Sequence, residues 1–310
     1  MRMDASAGIG GVGGELLTPL GWSERAKAYV ALTKPRIIEL LLITTIPTMF
    51  VAARRLPSAG LVALTLVGGA LAAGGANAMN MVYDRDIDAI MERTKNRPLV
   101  TGAISPRAAL VFAVSLEIAS FLLLWSTVNL LSAVLAVSAT AFYVGVYTMW
   151  LKRSSPQNIV IGGAAGAVPV LVGWSAVTGH LALAPLVLFG IIFLWTPPHF
   201  WALAVRYRDD YAAANVPMLP AIVDLPKVVR QMIIYTVALW ALSATLAPVA
   251  HLGLVFFGIT MVLGAAFFWK AWSLRTDASP KRAMKVFGFS ITYLTLLFFA
   301  MGVTAVVRHP

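Results

Sequence analysis

Long apolar segments, repeated along almost the whole chain, are the feature that most restricts how it can fold. Nine of them lie near residues 37–53, 59–83, 106–126, 129–150, 158–178, 183–205, 228–249, 253–274 and 284–307. Each reaches or approaches the roughly 20 residues that a helix needs to cross a bilayer. Of the 310 residues 59% are hydrophobic and only 12% are charged, and the mean hydropathy is +0.82. The sequence therefore predicts an all-α polytopic membrane protein, with nine transmembrane helices in one bundle.

The formal net charge of +11 is explained by membrane topology. Of the 24 Lys and Arg residues, 21 lie in every second connection between the apolar segments, and only Arg54, Arg55 and Arg308 lie on the opposite side. The positive-inside rule then places the N-terminus in the cytoplasm and the C-terminus outside. The basic excess therefore gives no reason to expect a nucleic-acid partner.

Residues 1–24 are Gly-rich and contain Asp4 and Glu15, which is typical of neither a signal peptide nor a transit peptide. We interpret them as a flexible cytoplasmic tail, followed by a single transmembrane domain over residues 25–310. The chain contains no cysteine, which excludes a disulfide framework and a thiolate zinc site.

Residues 77–99 place acidic side chains at the end of the second apolar segment. In a helix, Asn80, Asp84 and Asp88 lie four residues apart on one face, and Asn77 extends that face by a turn. Oxygen ligands of this kind suit Mg²⁺, which is usually held by one or two carboxylates together with a substrate phosphate.

Basic residues follow the acidic face within one short loop. Arg93, Lys95 and Arg97 are placed to neutralise a phosphate bound by the metal. The alternative is a solvated loop in which the carboxylates pair with neighbouring arginines, because acidic pairs at this spacing are common on exposed helices.

A second polar cluster, within residues 206–220, ends the sixth apolar segment on the same predicted side of the membrane. Asp209 and Asp210 are its carboxylates. Together with Asp84 and Asp88 they predict an Mg²⁺ site between two helix ends. Lys152 and Arg153 also lie on that side and are candidates for binding diphosphate oxygens.

His199 lies deeper in the sixth segment, after Pro197 and Pro198, which we expect to interrupt its helix. His199 and Asp210 lie eleven positions apart, so on a continuous helix both share a face, with His199 about 16 Å deeper. Two interpretations remain open: a hydrogen bond to a neighbouring helix, or contact with an acceptor as a metalloporphyrin ligand or a general base.

These parts suit a substrate with a diphosphate head and a long apolar tail. Metal and cations at the membrane surface favour departure of the diphosphate with its electrons. The allylic carbocation left behind requires a dry, aromatic-lined cavity and an electron-rich carbon to attack it.

Five motifs run in order between Thr33 and Pro220. They are Thr33-Lys-Pro-Arg36, Asn80-xxx-Asp84-Arg-xx-Asp88-xx-Met91-x-Arg93-Thr-xx-Arg97-Pro-Leu, Tyr147-Thr-xx-Leu151-Lys-Arg153 with Asn158 and Ile161-Gly-Gly163, Thr196-Pro-Pro-His-Phe-Trp201, and Tyr207-Arg-Asp-Asp-Tyr-xxx-Asn215-x-Pro-Met-Leu-Pro220. Together they resemble the UbiA superfamily of intramembrane prenyltransferases, and in particular its haem O synthase (protohaem IX farnesyltransferase) subfamily.

The resemblance implies a Mg²⁺-dependent reaction that joins the farnesyl group of farnesyl diphosphate to a vinyl group of haem B, giving haem O and diphosphate for haem A and cytochrome oxidase assembly. Haem B is then a substrate, and the enzyme lies in the bacterial inner membrane with its active site on the cytoplasmic side. Haem A synthase or oxidase assembly proteins are implied partners.

The resemblance also implies residue roles. Metal ligands are Asn80, Asp84, Asp88, Asp209 and Asp210; diphosphate is bound by Arg93, Lys95, Arg97, Lys152 and Arg153; catalytic residues are Asp84, Asp88, Asp210 and Lys152; and His199 lies on the haem side. One departure is that many superfamily members have a second DxxxD motif, whereas Ala213 and Ala214 stand four positions beyond Asp209 and Asp210.

Three other functions compete with this one. A UbiA-type enzyme acting on an aromatic acid or quinone precursor shares the first motif. A membrane transporter would suit the nine segments and the Pro197–Pro198 pair, but the charged clusters concentrate at one membrane face. An assembly protein for a respiratory complex leaves the acidic motif without a purpose.

Overall fold

A computed structural model describes residues 21–308, except for the side chains of residues 36, 37 and 39–42. Over this part of the chain the fold is all-helical. Among the described residues, eight helices are long and apolar enough to cross a membrane. They are Ala59–Tyr83, Pro106–Thr127, Leu130–Ser154, Asn158–Thr178, Leu183–Arg206, Leu225–Val249, Gly253–Arg275 and Pro280–Arg308. The prediction of a polytopic all-α membrane protein is therefore confirmed, while the count of nine spans and the sidedness of the termini stay predictions.

The first predicted span corresponds to α2, Pro35–Ala53. Helix α1, Trp22–Thr33, precedes it, and Lys34 separates the two helices with a φ of 52°. Because proline favours the first position of a helix, Pro35 marks a definite start for α2. Residues 1–20 of the predicted tail lie outside the described residues, and residues 22–24, also assigned to the tail, form the first turn of α1.

The remaining helices comprise long ones, which follow the apolar segments closely, and four short ones in the connections between them. They are α3 (Ala59–Tyr83), α4 (Arg85–Ile90), α5 (Pro106–Thr127), α6 (Leu130–Ala141), α7 (Lys152–Ser154), α8 (Asn158–Thr178), α9 (Leu183–Arg206), α10 (Arg208–Ala213), α11 (Leu219–Ile222), α12 (Leu225–Val249), α13 (Gly253–Trp272) and α14 (Pro280–Arg308). A π-helix, Phe142–Leu151, joins α6 to α7, and a short 3₁₀ turn, Ser273–Arg275, extends α13.

Close packing between helices depends on glycine at a few positions. A Cβ atom on Gly75 of α3 would lie 2.9 Å from the Ala113 carbonyl oxygen of α5 and 2.6 Å from Glu117. The backbones of α3 and α5 therefore approach each other in a way that a larger residue would prevent. Gly162 allows a similar approach of the Tyr147 ring.

Helix α9 lies at the centre of the larger core and packs against α8, α12 and α14. Contrary to the sequence-based expectation, its helical conformation continues through Pro197 and Pro198. Proline removes two N–H donors here, but packing against neighbouring helices makes such positions tolerable in membrane helices. One such packing contact is a hydrogen bond from the Trp195 indole N–H to the Ser290 carbonyl oxygen of α14 at 2.8 Å, which helps hold this part of α9 in place.

Candidate active site

Asp84 stands at the junction of α3 and α4 and is the most deeply buried carboxylate of the first acidic motif. The backbone hydrogen bonds from Asp84 to Asn80 and from Asp88 to Asp84 keep the helical spacing, at 2.9 and 2.8 Å. The predicted common face of the three side chains therefore survives the change from α3 to α4, although other residues decide what each side chain contacts.

The Asp84 side chain has 0% exposure and binds through one oxygen only. Its Oδ2 accepts a hydrogen bond from Asn80 Nδ2 at 2.7 Å and forms an ion pair with the Lys152 ammonium group. Asn80 also donates to Thr148 Oγ1 at 3.1 Å. Asp84 Oδ1 is buried without a hydrogen-bond partner in the described structure, so this oxygen is available to a cation that is not part of the chain.

Lys34 is a site residue that the sequence analysis did not assign. Its Nζ donates to Asn80 Oδ1 at 2.9 Å, across the break between α1 and α2. Burial, and then the positive charges of Arg97 and Lys152, lower the pKa of Lys34 to about 7. The motif Thr33-Lys-Pro-Arg36 contained the residue, but its spacing to Asn80 gave no sign of the contact.

Asp88, one turn beyond Asp84, is also paired with a cation. Its Oδ2 accepts a hydrogen bond from Arg97 Nη1 at 2.5 Å, and the exposure of the Asp88 side chain is 4%. Thr94 Oγ1 donates to the Asp88 backbone carbonyl at 3.0 Å. The loop after α4 thus folds back and brings Arg97 onto the acidic face.

Arg93 and Lys95 lie in the same loop but have different surroundings. Arg93 lies over the ring of Tyr207, 5.4 Å from its centroid, and so connects this loop to the junction of α9 and α10. Lys95 is half-exposed and pairs with Glu92 at 2.6 Å. The structure therefore brings Arg93 to the second motif and leaves Lys95 at the surface.

Arg153 binds outside this cluster. Its guanidinium group donates to both oxygens of Asp86 at 2.7 Å, and to the Tyr83 carbonyl oxygen at 2.8 Å. The hydrogen bond from Arg153 is the largest cause that lowers the pKa of Asp86 to about 2, so this pair stays charged. Lys152 and Arg153 are adjacent in sequence, yet they pair with different carboxylates.

The second acidic motif is less buried than the first. Asp209 is exposed and Asp210 is half-buried, at the start of the short helix α10. Helix α9 ends at Arg206, so the assumption of a continuous helix from His199 to Asp210 is wrong. Between residues 21 and 308, no group of three or more His, Cys, Asp or Glu side chains is placed to hold a metal ion.

His199 is buried in α9 between two aromatic rings. The Trp195 ring lies 4.1 Å and the Phe287 ring 4.5 Å from the imidazole, centroid to centroid. Ser290 Oγ lies 2.7 Å from His199 Nδ1 and donates its own proton to the Phe287 carbonyl oxygen at 2.6 Å. A hydroxyl has one proton to donate, which assigns the proton to His199 Nδ1 and leaves a lone pair on Nε2.

The UbiA prenyltransferase family matches residues 41–302 of the chain. A protoheme IX farnesyltransferase of Streptomyces coelicolor is 51% identical over 290 residues, which cover 92% of each chain. A protein of the same name from Frankia alni is 53% identical and covers 91% of this chain and 99% of its own. One from Renibacterium salmoninarum is 49% identical over 100% of this chain and 99% of its own.

Solved structures show the same fold at low sequence identity. A digeranylgeranylglyceryl phosphate synthase superposes with a TM-score of 0.76 at 20% identity, over 92% of this chain and 99% of its own. A UbiA homologue from Archaeoglobus fulgidus bound to GPP and Mg²⁺ superposes with a TM-score of 0.64 at 17% identity, over 89% and 99% of the two chains. The family match covers most of the chain and the fold agrees with it, so this chain belongs to the UbiA prenyltransferase family.

Proposed function

We propose that this protein transfers the farnesyl group of farnesyl diphosphate to a vinyl group of haem B, giving haem O and diphosphate. The observation that carries this proposal is the identity of about half of all residues, over more than nine tenths of the chain, to proteins named protoheme IX farnesyltransferase. The burial of Asp84 among cations at the end of a membrane span adds physical support.

The reaction balances with one water molecule. The C–O bond of farnesyl diphosphate breaks, and its electron pair leaves with the diphosphate. A carbon–carbon bond forms between the allylic cation and a vinyl carbon of haem B. Water adds its hydroxyl to the other vinyl carbon and releases a proton.

Mg²⁺ fits the residues of the first acidic motif. Asp84 Oδ1 is a buried carboxylate oxygen without a partner, and the oxygens of Asn80 and Asp88 lie on the same helical face. We therefore assign Asn80, Asp84 and Asp88 as ligands, with Asp209 and Asp210 contributing from the second motif. When bound, Mg²⁺ would neutralise the charge that develops on the diphosphate.

Cations around this motif would bind and orient the diphosphate. We assign this role to Arg93, Arg97 and Lys152, with Lys95 at the outer edge and with Lys34 as an addition from the structure. Lys152 forms an ion pair with Asp84, and Arg97 forms one with Asp88. On binding of a metal ion and a diphosphate, each carboxylate would exchange its cation for the metal, and each cation would exchange its carboxylate for the diphosphate. We assign catalytic roles to Asp84, Asp88, Asp210 and Lys152.

Stacked aromatic rings on the π-helix support a reaction that passes through a carbocation. Tyr143 and Tyr147 stack with centroids 5.4 Å apart, in the segment that also contains Thr148 of the Asn80 cluster. Aromatic faces stabilise cations and exclude water. His199 lies on the acceptor side in this proposal, where the lone pair on Nε2 is the group that a haem iron would need.

We infer that the protein acts in the bacterial inner membrane with this site at the cytoplasmic face, because 21 of its 24 basic residues lie on one set of connections. Haem A synthase or oxidase assembly proteins would then receive the product.

Mass analysis of haem after incubation with farnesyl diphosphate and Mg²⁺ tests the proposal. The purified protein in nanodiscs receives either haem B or an aromatic acid acceptor. We expect farnesylated, hydrated haem and a matching release of diphosphate in the first reaction only. Prenylation of the aromatic acid alone would assign the chain to another branch of the family. No diphosphate release with either acceptor would contradict an enzymatic role.

A further inference from the structure

A cleft of about 450 Å³ opens between the end of α3 and the π-helix, beside the Asp84 cluster. Its lining residues are Val82, Tyr83, Arg85, Asp86, Thr148, Met149 and Arg153. The guanidinium of Arg153 is held here by Asp86, so the proposed reaction leaves this cleft unused.

The cleft contains more positive than negative charge. Arg153 is neutralised by the two hydrogen bonds that it donates to Asp86. Arg85 is exposed, and no hydrogen bond or ion pair of its side chain is found in the described part of the chain. The two arginines that line the cleft are therefore matched by one carboxylate, that of Asp86, which leaves one positive charge for an external anion.

One side of the cleft is lined by the exposed side chains of Tyr83 and Met149. Tyr83 is 44% and Met149 52% exposed, and both lie at the ends of membrane spans. Trp150, next to Met149, is 63% exposed, and tyrosine and tryptophan are enriched at membrane interfaces. Arginine side chains beside exposed apolar side chains, at the ends of membrane spans, match a molecule with an anionic head and apolar chains.

We propose that this cleft binds the phosphodiester headgroup of an anionic phospholipid. Arg85 and the remaining N–H groups of Arg153 bind the phosphate oxygens, and the acyl chains lie along Tyr83 and Met149. The single uncompensated charge of the cleft matches the single charge of a phosphodiester. A free phosphate shares the anion chemistry but makes no use of Tyr83 and Met149.

Native mass spectrometry of the intact protein tests this site. Wild type, Arg85→Gln and Arg107→Gln are each titrated with phosphatidylglycerol, with phosphatidylcholine and with inorganic phosphate. Arg107 is a matched control, because it is exposed in the same set of connections and does not line the cleft. We expect Arg85→Gln to weaken phosphatidylglycerol binding about fivefold, the effect of one basic side chain at an anionic membrane surface.

Both variants should bind phosphatidylcholine as wild type does, and Arg107→Gln should also bind phosphatidylglycerol as wild type does. An equal loss in both variants would overturn the proposal, because it would indicate a general surface-charge effect. No loss in Arg85→Gln would also overturn it. Displacement of phosphatidylglycerol by an equal concentration of inorganic phosphate would assign the cleft to a free anion. None of these measurements depends on farnesyl transfer, so their failure would leave the proposed enzyme activity standing.

Discussion

The Lys152 ammonium group and the Asp84 carboxylate form an ion pair in which Asp84 has 0% and Lys152 14% side-chain exposure. A buried pair of this kind loses much solvation, so removing one partner leaves the other charge uncompensated. The second oxygen of Asp84 has no partner in the described structure. One oxygen of a buried carboxylate at the end of α3 is therefore left without a partner, and our proposal that Asp84 binds a metal ion rests on this oxygen.

Replacing Asp84 by Asn tests the role of that charge. Asp84→Asn keeps the size of the side chain but removes the charge that a hard cation needs. We predict a loss of farnesyl transfer of at least about 100-fold, because the lost stabilisation matters most as diphosphate leaves. Single-turnover assays with haem B would measure it, and melting curves would show that the variant still folds.

Asp86→Asn is the matched control for Asp84→Asn. Asp86 lies two residues away and its side chain is 64% exposed in a surface ion pair. Such pairs contribute little, so activity should stay within about a factor of five of wild type. Near-normal turnover of Asp84→Asn at limiting Mg²⁺ would show that the metal assignment is wrong.

Sequence periodicity predicted much of this site because the backbone there is helical. The spacing of Asn80, Asp84 and Asp88 predicts a common face wherever i→i+4 hydrogen bonds are kept, and those bonds are present. Hydropathy likewise located the long helices, since their length is fixed by the membrane.

Contacts between distant segments could not be read from spacing. Lys34 reaches Asn80 only because the helix is interrupted between α1 and α2, and because α1 packs on α3. Lys152 and Arg153 diverge because they extend on different sides of one helical turn, toward Asp84 and Asp86. The sequence-based prediction also overestimated the disruption of the helix by Pro197 and Pro198, because packing against neighbouring helices keeps α9 intact.

Lys34→Met should weaken binding of farnesyl diphosphate. The substitution removes the donor to Asn80 Oδ1 and an amine whose lowered pKa of about 7 rises again beside the negative charge of a bound diphosphate. Hydrogen bonds to charged groups contribute about 1.5–3 kcal/mol, so we expect the Kd of farnesyl diphosphate to rise about tenfold or more. Isothermal titration with Mg²⁺ present measures this change.

Lys27→Met is the control, because Lys27 is exposed on α1 and the substitution makes the same chemical change away from Asn80. Its Kd should stay close to that of wild type. An equal rise in both variants would mean that Lys34 acts only through the overall surface potential.

A reporter at the C-terminus tests the topology. The basic residues divide 21 to 3 between the two sides, which predicts a cytoplasmic Lys95 and an external chain end after Val307. A fusion active only outside the cytoplasm should therefore work at the C-terminus and fail after Lys95. Activity of a strictly cytoplasmic reporter at the C-terminus would contradict nine spans and would call into question whether α2 crosses the membrane.

His199→Ala should destabilise the contact between α9 and α14. The imidazole hydrogen bond to Ser290 is lost, at a cost of about 1 kcal/mol or somewhat more. Ser290→Ala removes the same bond and keeps the ring between Trp195 and Phe287, so its loss of thermal stability should be smaller. Melting curves in one detergent compare the variants.

The absorption spectrum of bound haem then separates the two interpretations of His199. A spectral shift in His199→Ala that Ser290→Ala does not cause would show that the imidazole contacts haem. If bound haem has the same absorption spectrum in His199→Ala and Ser290→Ala, the role of His199 is limited to its contact with α14. A loss of diphosphate affinity in His199→Ala without any spectral change would contradict both interpretations.

Gly75→Ala should destabilise the bundle by forcing α3 away from α5. The added Cβ would lie 2.9 Å from the Ala113 carbonyl oxygen, and a backbone atom cannot move without shifting its helix. Overpacking of this kind costs about 1–3 kcal/mol. Gly69→Ala is a matched control on the same helix, where a Cβ meets nothing within 4 Å.

Because alanine favours a helix over glycine, Gly69→Ala should be neutral or more stable by up to about 1 kcal/mol. The two variants make the same chemical change on one helix, so a difference between their melting temperatures reports the contact between α3 and α5 alone. Equal melting temperatures would show that this contact yields readily, and that the Asp84 cluster at the end of α3 does not depend on it for its position.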